Sequence, residues 1–354
     1  MGKRLSFMVV SLGMLCWSLN LKAEPLVPAL YIFGDSSLDV GTNHFIPETQ
    51  SRADFKPYGI DFPNGEVTGR FSNGYNLADE IAMLLGFKMS PPPFLSLVQR
   101  QNSTKHFRRQ ILNGINFASG GSGLLHETGQ KRYNRVISLE EQIQQFATVR
   151  RNISVHLKST ADARIKKSIF LFSIGSNDFF DLYFFNNYTV TETMRQQKLH
   201  EKLKNYGARK LAVLSISPLG CLPRYRLNPT ECNKELNTIS FAFYTTLKGI
   251  LQNLTLQFPE IKYSLGNSPF LSCFTMIFPQ VIGFENSTSP CCGDLTRFVS
   301  CHPDSKVCGN RTAFFFWDQV HPTQAVCELA ASKFFSGDSL HVSPINLSEL
   351  VRAS

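Results

Sequence analysis

The chain has 354 residues and a formal charge of +9, with 43% hydrophobic and 18% charged residues. This balance excludes a disordered or fibrous polymer and leaves room for one large core. Basic residues fall in short clusters such as Phe107-Arg108-Arg109 and Lys131-Arg132 rather than a continuous stripe, so nucleic acid is not an expected partner.

The chain opens with Lys3 and Arg4, a mostly apolar stretch from Phe7 to Leu19, and a small residue at the end of Leu21-Lys22-Ala23. This pattern is that of an export signal over residues 1–23, leaving a single domain over 24–354. The apolar stretch is too short to cross about 30 Å of hydrocarbon, and no later segment is long enough. No transmembrane segment is therefore expected in the mature chain. Without Lys3, Arg4 and Lys22 the charge falls to about +6, compatible with weak attraction to acidic wall polymers.

The first strand is predicted at Ala29-Leu30-Tyr31-Ile32-Phe33, followed by Gly34-Asp35-Ser36-Ser37. A serine after a buried strand and a glycine can sit on a tight turn with its hydroxyl exposed. A helix beginning there would aim N–H groups at a developing oxyanion. Taken alone, this segment is better explained as an ordinary strand-to-helix cap. Asn76 then caps a predicted helix with Leu77, Ile81, Leu84 and Leu85 as its stripe, stopped by Gly86. Pro91-Pro92-Pro93 is a stiff local connection. A second, weaker strand at Ile115-Asn116-Phe117-Ala118 leads into Ser119-Gly120-Gly121-Ser122-Gly123, where glycines allow close backbone approach to a ligand. That run fits neither a dinucleotide fingerprint nor a phosphate-binding P-loop, so no cofactor is expected.

Ser138 and Glu141 form a predicted capping box ahead of Leu139, Ile143 and Phe146. The apolar run Ile169–Ile174 is a third strand, and it ends in Gly175-Ser176-Asn177-Asp178. There Asn177 can offer a side-chain amide donor, or simply close an Asx-turn. The aromatic run Phe179–Phe185 reads as packed core, with an acyl groove as the rival reading. Further strands are predicted at Leu211–Ile216 and Ile261–Leu265, around a helix carrying Leu247, Ile250, Leu251, Leu254 and Phe258. Strand-like runs alternating with helical ones indicate a parallel α/β sheet. In such sheets function collects at the carboxyl ends of the strands.

Removing Cys16 with the signal leaves eight cysteines, all in the C-terminal half, an even number that suits disulfides in an exported chain. A zinc site from Cys301, His302 and Cys308 is the alternative. It lacks a C-x-x-C pair, so no metal is expected. Seven N-x-[S/T] acceptors, at Asn102, Asn152, Asn187, Asn253, Asn286, Asn310 and Asn346, point to glycosylation. Near the C-terminus stands Trp317-Asp318-Gln319-Val320-His321-Pro322, in which Asp318 is close enough to hold the Nδ1 proton of His321.

The ordered set of Ser36, the glycine block, Asn177 and Asp318-x-x-His321 resembles the plant GDSL esterase/lipase family of SGNH hydrolases. The resemblance runs from about Pro28 to Leu347 and includes Pro57–Pro63, Thr68–Gly74, Gly207–Lys210, Pro218–Cys221 and the Cys291-Cys292 pair. It implies a flavodoxin-like three-layer α/β/α sandwich around a parallel five-stranded sheet. It also implies a triad of Ser36, His321 and Asp318, with the Ser36 N–H, Gly121 and Asn177 as the oxyanion hole. Gly121 is preferred to Gly120. The implied activity is hydrolysis of a small-molecule or polymer-bound carboxylic ester outside the cell, in the wall or apoplast. An acyltransferase with the same triad, or an inactive lipid- or carbohydrate-binding wall protein, are the rivals.

Three departures stand out. The first block is not a literal GDSL. A literal Gly337-Asp338-Ser339-Leu340 follows the predicted last helix and reads as coincidence. The stretch between Asn177 and Gly207 is short for the family.

Overall fold

A computed structural model describes residues 24–99, 104–185, 205–228, 230–295 and 301–354. The proposed export signal and the acceptors Asn102 and Asn187 lie outside those residues, as does most of the short stretch between Asn177 and Gly207.

The strands are β1 (Leu30–Gly34), β2 (Gly114–Asn116), β3 (Ile169–Ser173), β4 (Lys210–Leu214), β5 (Lys262–Gly266), β6 (Asn286–Pro290), β7 (Phe314–Phe316) and β8 (Val342–Pro344). The central sheet runs β2-β1-β3-β4-β5-β8, and its first five strands are parallel. The five expected strands are all present. The difference is a sixth, β8, paired antiparallel to the free edge of β5 through Ser264, Leu265 and Gly266. Its three residues and its Pro344 fit an edge strand, because proline has no N–H to give to a further neighbour.

Alternation within the strands builds the layers. Tyr31, Phe33, Phe170, Phe172, Leu211 and Val213 point to one side, where they pack with Ile143, Phe146, Leu251 and Leu254 of the Leu139–Leu157 and Lys234–Gln257 helices. Leu30, Ile32, Ile169, Leu171, Ala212 and Leu214 point to the other. There they meet Ile81, Ala331, Phe334 and Leu350 from three further helices. Both faces are covered, which is why these strands read as continuous apolar runs.

The capping box at Ser138 with Glu141 forms as its sequence predicts, and the expected cap at Asn76 proves to be a second box, closed by Asp79. Leu84, expected in the stripe of the first of these helices, is instead 37% exposed. Six cysteines pair as Cys221–Cys232, Cys291–Cys308 and Cys292–Cys301. Cys301 and Cys308 are thus occupied by disulfides rather than free as ligands. Cys273 and Cys327 stay unpaired, each on its own helix, with Cys327 fully buried.

Candidate active site

The carboxyl ends of β1 and β3 lie side by side, with Gly34 opposite Ser173. A Cβ on Gly34 would meet the Ser173 carbonyl at 2.4 Å, so only glycine lets the two strands leave the sheet this closely. The chain beyond Gly34 forms a turn, not the expected helix start: Leu38 and Asp39 donate back to the Asp35 carbonyl, and the next helical element is a single 3-10 turn at Asn43–Phe45. Ser36 sits at the top of this turn, half-buried. Its N–H has no acceptor among the described residues.

Ser36 Oγ lies 2.7 Å from His321 Nε2, although 285 residues separate them. His321 Nδ1 lies 2.8 Å from Asp318 Oδ2. Asp318 Oδ1 accepts from the Val320 and His321 N–H groups, each at 2.8 Å, so the D-x-x-H tetrad is a tight turn folded around its own carboxylate. Asp318 is fully buried. Burial pushes its carboxyl up, but the His321 charge, the His321 hydrogen bond and the two amides outweigh that and hold it below its ordinary range. An ionised Asp318 fixes the proton on Nδ1 and leaves Nε2 as an acceptor toward Ser36.

The glycine block lies beside this pair. Gly121 has φ +86°, and a Cβ there would strike the Tyr133 ring at 2.5 Å. The N–H of Gly120 is occupied by Asp39 Oδ2 at 2.9 Å, whereas that of Gly121 has no acceptor among the described residues. Gly121, and not Gly120, faces the cavity shared with Ser36, Asn177 and His321. Asn177 lies in the first turn of the Ser176–Phe185 helix. Its Nδ2 donates to the Ser122 carbonyl at 3.0 Å, which orients the amide and leaves its second N–H unused. All five residues singled out for chemistry therefore meet at one place.

Several supporting residues carried no local sequence signal. Tyr58 Oη donates to Asp318 Oδ2 at 2.8 Å. Gln142 clamps β1 by accepting from the Gly34 N–H and donating to the Gly34 carbonyl, both at 2.9 Å. Asp39 holds the Gly41, Thr42 and Gly120 N–H groups. Asp178 holds the Leu124 and Leu125 N–H groups and the Thr128 hydroxyl. Arg132 pairs with Asp181 at 2.7 Å and lies over the Phe180 ring. Phe179 and Phe180 are buried, as the packed-core reading of the aromatic run expects, and Phe180 also lines the cavity.

The literal Gly337-Asp338-Ser339-Leu340 behaves differently. Gly337 ends the Gln324–Ser336 helix and Asp338 is exposed, bonded to His341. Of the described glycosylation acceptors, Asn253 and Asn310 are exposed and Asn286 is half-buried. Asn152 donates to the Thr148 carbonyl, and Asn346 caps the Leu347–Arg352 helix.

Residues 30–334 match the model of the GDSL-like Lipase/Acylhydrolase family. Arabidopsis thaliana proteins named as GDSL esterase/lipases align along nearly the whole length. GDSL esterase/lipase At5g55050 is 34% identical, covering 92% of this chain and 90% of its own. GDSL esterase/lipase At4g16230 is 32% identical, covering 97% and 96%. GDSL esterase/lipase 6 is also 32% identical, covering 93% and 92%.

Proposed function

The chain belongs to the GDSL-like lipase/acylhydrolase family and is a carboxylic ester hydrolase, and from that membership we propose that it works through Ser36, His321 and Asp318. The observation that carries this reading is the continuous hydrogen-bonded line from Ser36 Oγ through His321 to the buried Asp318. His321 Nε2 takes the hydroxyl proton as Ser36 attacks the ester carbonyl. The same proton then passes to the leaving alcohol as the tetrahedral intermediate collapses. Water, activated by the same nitrogen, releases the acid from the acyl-enzyme and restores Ser36.

The oxyanion is received by the Ser36 N–H, the Gly121 N–H and the Asn177 side chain. Their unoccupied donors support this assignment, and the engagement of the Gly120 N–H with Asp39 supports Gly121 over its neighbour. On the same reading the protein is exported and glycosylated. Three disulfides and the exposure of Asn253 and Asn310 fit an oxidising, extracellular setting.

The test is hydrolysis of p-nitrophenyl acetate, butyrate and palmitate by the mature chain beside Ser36→Ala. Turnover is expected in the parent and not in the variant, with matching melting curves. Equal rates in the two would remove Ser36 from the chemistry.

A further inference from the structure

Resting on the reading of Ser36 as nucleophile, we propose that the acyl subsite takes a chain of roughly ten to twelve carbons ending in a second carboxylate, with Lys333 as its specificity-determining residue. The serine opens into a cavity of about 860 Å³. That cavity follows the carboxyl edge of the sheet, past Leu214–Ser217 beyond β4 to Gly266–Ser268 beyond β5. From β1 to β5 is three neighbour steps (β1-β3-β4-β5), about 14 Å at the usual strand spacing. A zigzag carbon chain built from bonds of about 1.5 Å advances about 1.3 Å per atom, which gives the stated length.

The walls along this path are apolar, with Ile216, Leu271, Phe315 and Phe334 among them. A methyl-terminated chain would suit those walls, but the cavity also carries basic side chains. Arg52 and Arg132 are tied to Asp54 and Asp181, Arg224 donates to Gln319, and His341 is tied to Asp338. Lys333 has no ion-pair or side-chain hydrogen-bond partner among the described residues, and it lines the same cavity.

The neighbours of Lys333 place it at the β5 end of the cavity. A Cβ on Gly337 would meet the Lys333 carbonyl at 2.2 Å and His341 at 3.1 Å, and the His341 carbonyl accepts from the Asn267 N–H just beyond β5. A Cβ on Gly266 would lie 3.1 Å from the ring of Phe334, the residue next to Lys333. An unpaired ammonium beside apolar walls calls for a group that only accepts, with negative charge. A carboxylate at the end of the acyl chain is that group.

The experiment compares mono-p-nitrophenyl dodecanedioate with p-nitrophenyl dodecanoate and acetate, using the mature protein, Lys333→Met and Ala330→Trp. The parent is expected to favour the dicarboxylic half-ester over dodecanoate by roughly tenfold or more in kcat/KM. Lys333→Met should bring that ratio to about one. Ala330→Trp, which narrows the channel one helical turn from Lys333, should lower the ratio of either twelve-carbon ester to acetate. A parent without the preference, or a preference intact in Lys333→Met, overturns the proposal. If acetate turnover depends on Ser36 while those ratios are absent, the acyl subsite fails alone. If no ester is hydrolysed, the hydrolytic reading of Ser36 fails with it.

Discussion

Asp318 is saturated: two backbone amides, the His321 ring and the Tyr58 hydroxyl all address its two oxygens, and none of its surface reaches water. A carboxylate held this way has one orientation to offer the imidazole, so His321 is fixed before substrate arrives. Asn177 is positioned with similar economy, one amide proton on the Ser122 carbonyl and one toward the cavity. Asn177→Ala is expected to lower kcat by roughly 10²–10³ with little change in KM, because the donor acts on charge that develops only in the transition state. A steady-state comparison on p-nitrophenyl butyrate checks this, and an unchanged kcat would take Asn177 out of the oxyanion hole. The five residues at the centre were legible in the sequence only as an ordered set resembling a known family, because each block alone reads equally as a cap or turn. Tyr58 was not. Its partner is 260 positions away, and a tyrosine next to a proline carries no signal of what it will bond.

At the scale of elements, the site is a set of strand ends braced against one another. Gln142 ties the Leu139–Leu157 helix to β1, Asp39 ties the turn after β1 to the glycine block, and Asp178 ties the helix after β3 to the loop at Leu124 and Leu125. Burial pushes the Asp39 and Asp178 carboxyls up to about 6, against the N–H donors that pull them down. A carboxyl whose folded value lies above its ordinary 3.8 binds more protons folded than unfolded. Its contribution to stability is therefore complete below that ordinary value and is lost as pH rises through about 6. Asp178→Asn lacks this loss, so its melting temperature relative to the parent should rise between about pH 4 and 6.5. Melts that run parallel across that window would mean Asp178 ionises normally. Strands and caps were readable here because apolar runs and cap patterns are local. The lack of an α-helix after the turn at β1 and the edge strand β8 were not, since the chain there folds back on its own Asp35 carbonyl and β8 depends on an edge that β5 leaves open.

Across the whole molecule, the C-terminal half carries the disulfides, and two of them reach the site. Cys291 and Cys292 donate their N–H groups to the Phe316 and Trp317 carbonyls, immediately before Asp318. Their partners Cys308 and Cys301 close loops of 17 and 9 residues, short loops worth roughly 2–4 kcal/mol each. The double variant Cys292→Ser, Cys301→Ser is expected to melt several degrees lower and to lose esterase activity at temperatures where the parent is still fully active. Full activity up to an unchanged melting point would show that the Asp318 turn holds its shape without that link.

The distance along the chain between Ser36 and His321 has a consequence in time. The strand that carries the serine is synthesised first, and the histidine follows only 285 residues later. On the proposed reading, the nucleophile has no base until the segment carrying His321 packs back against β1. A nascent copy that has not reached that segment is inert toward the esters around it, and hydrolysis begins only once the two are joined.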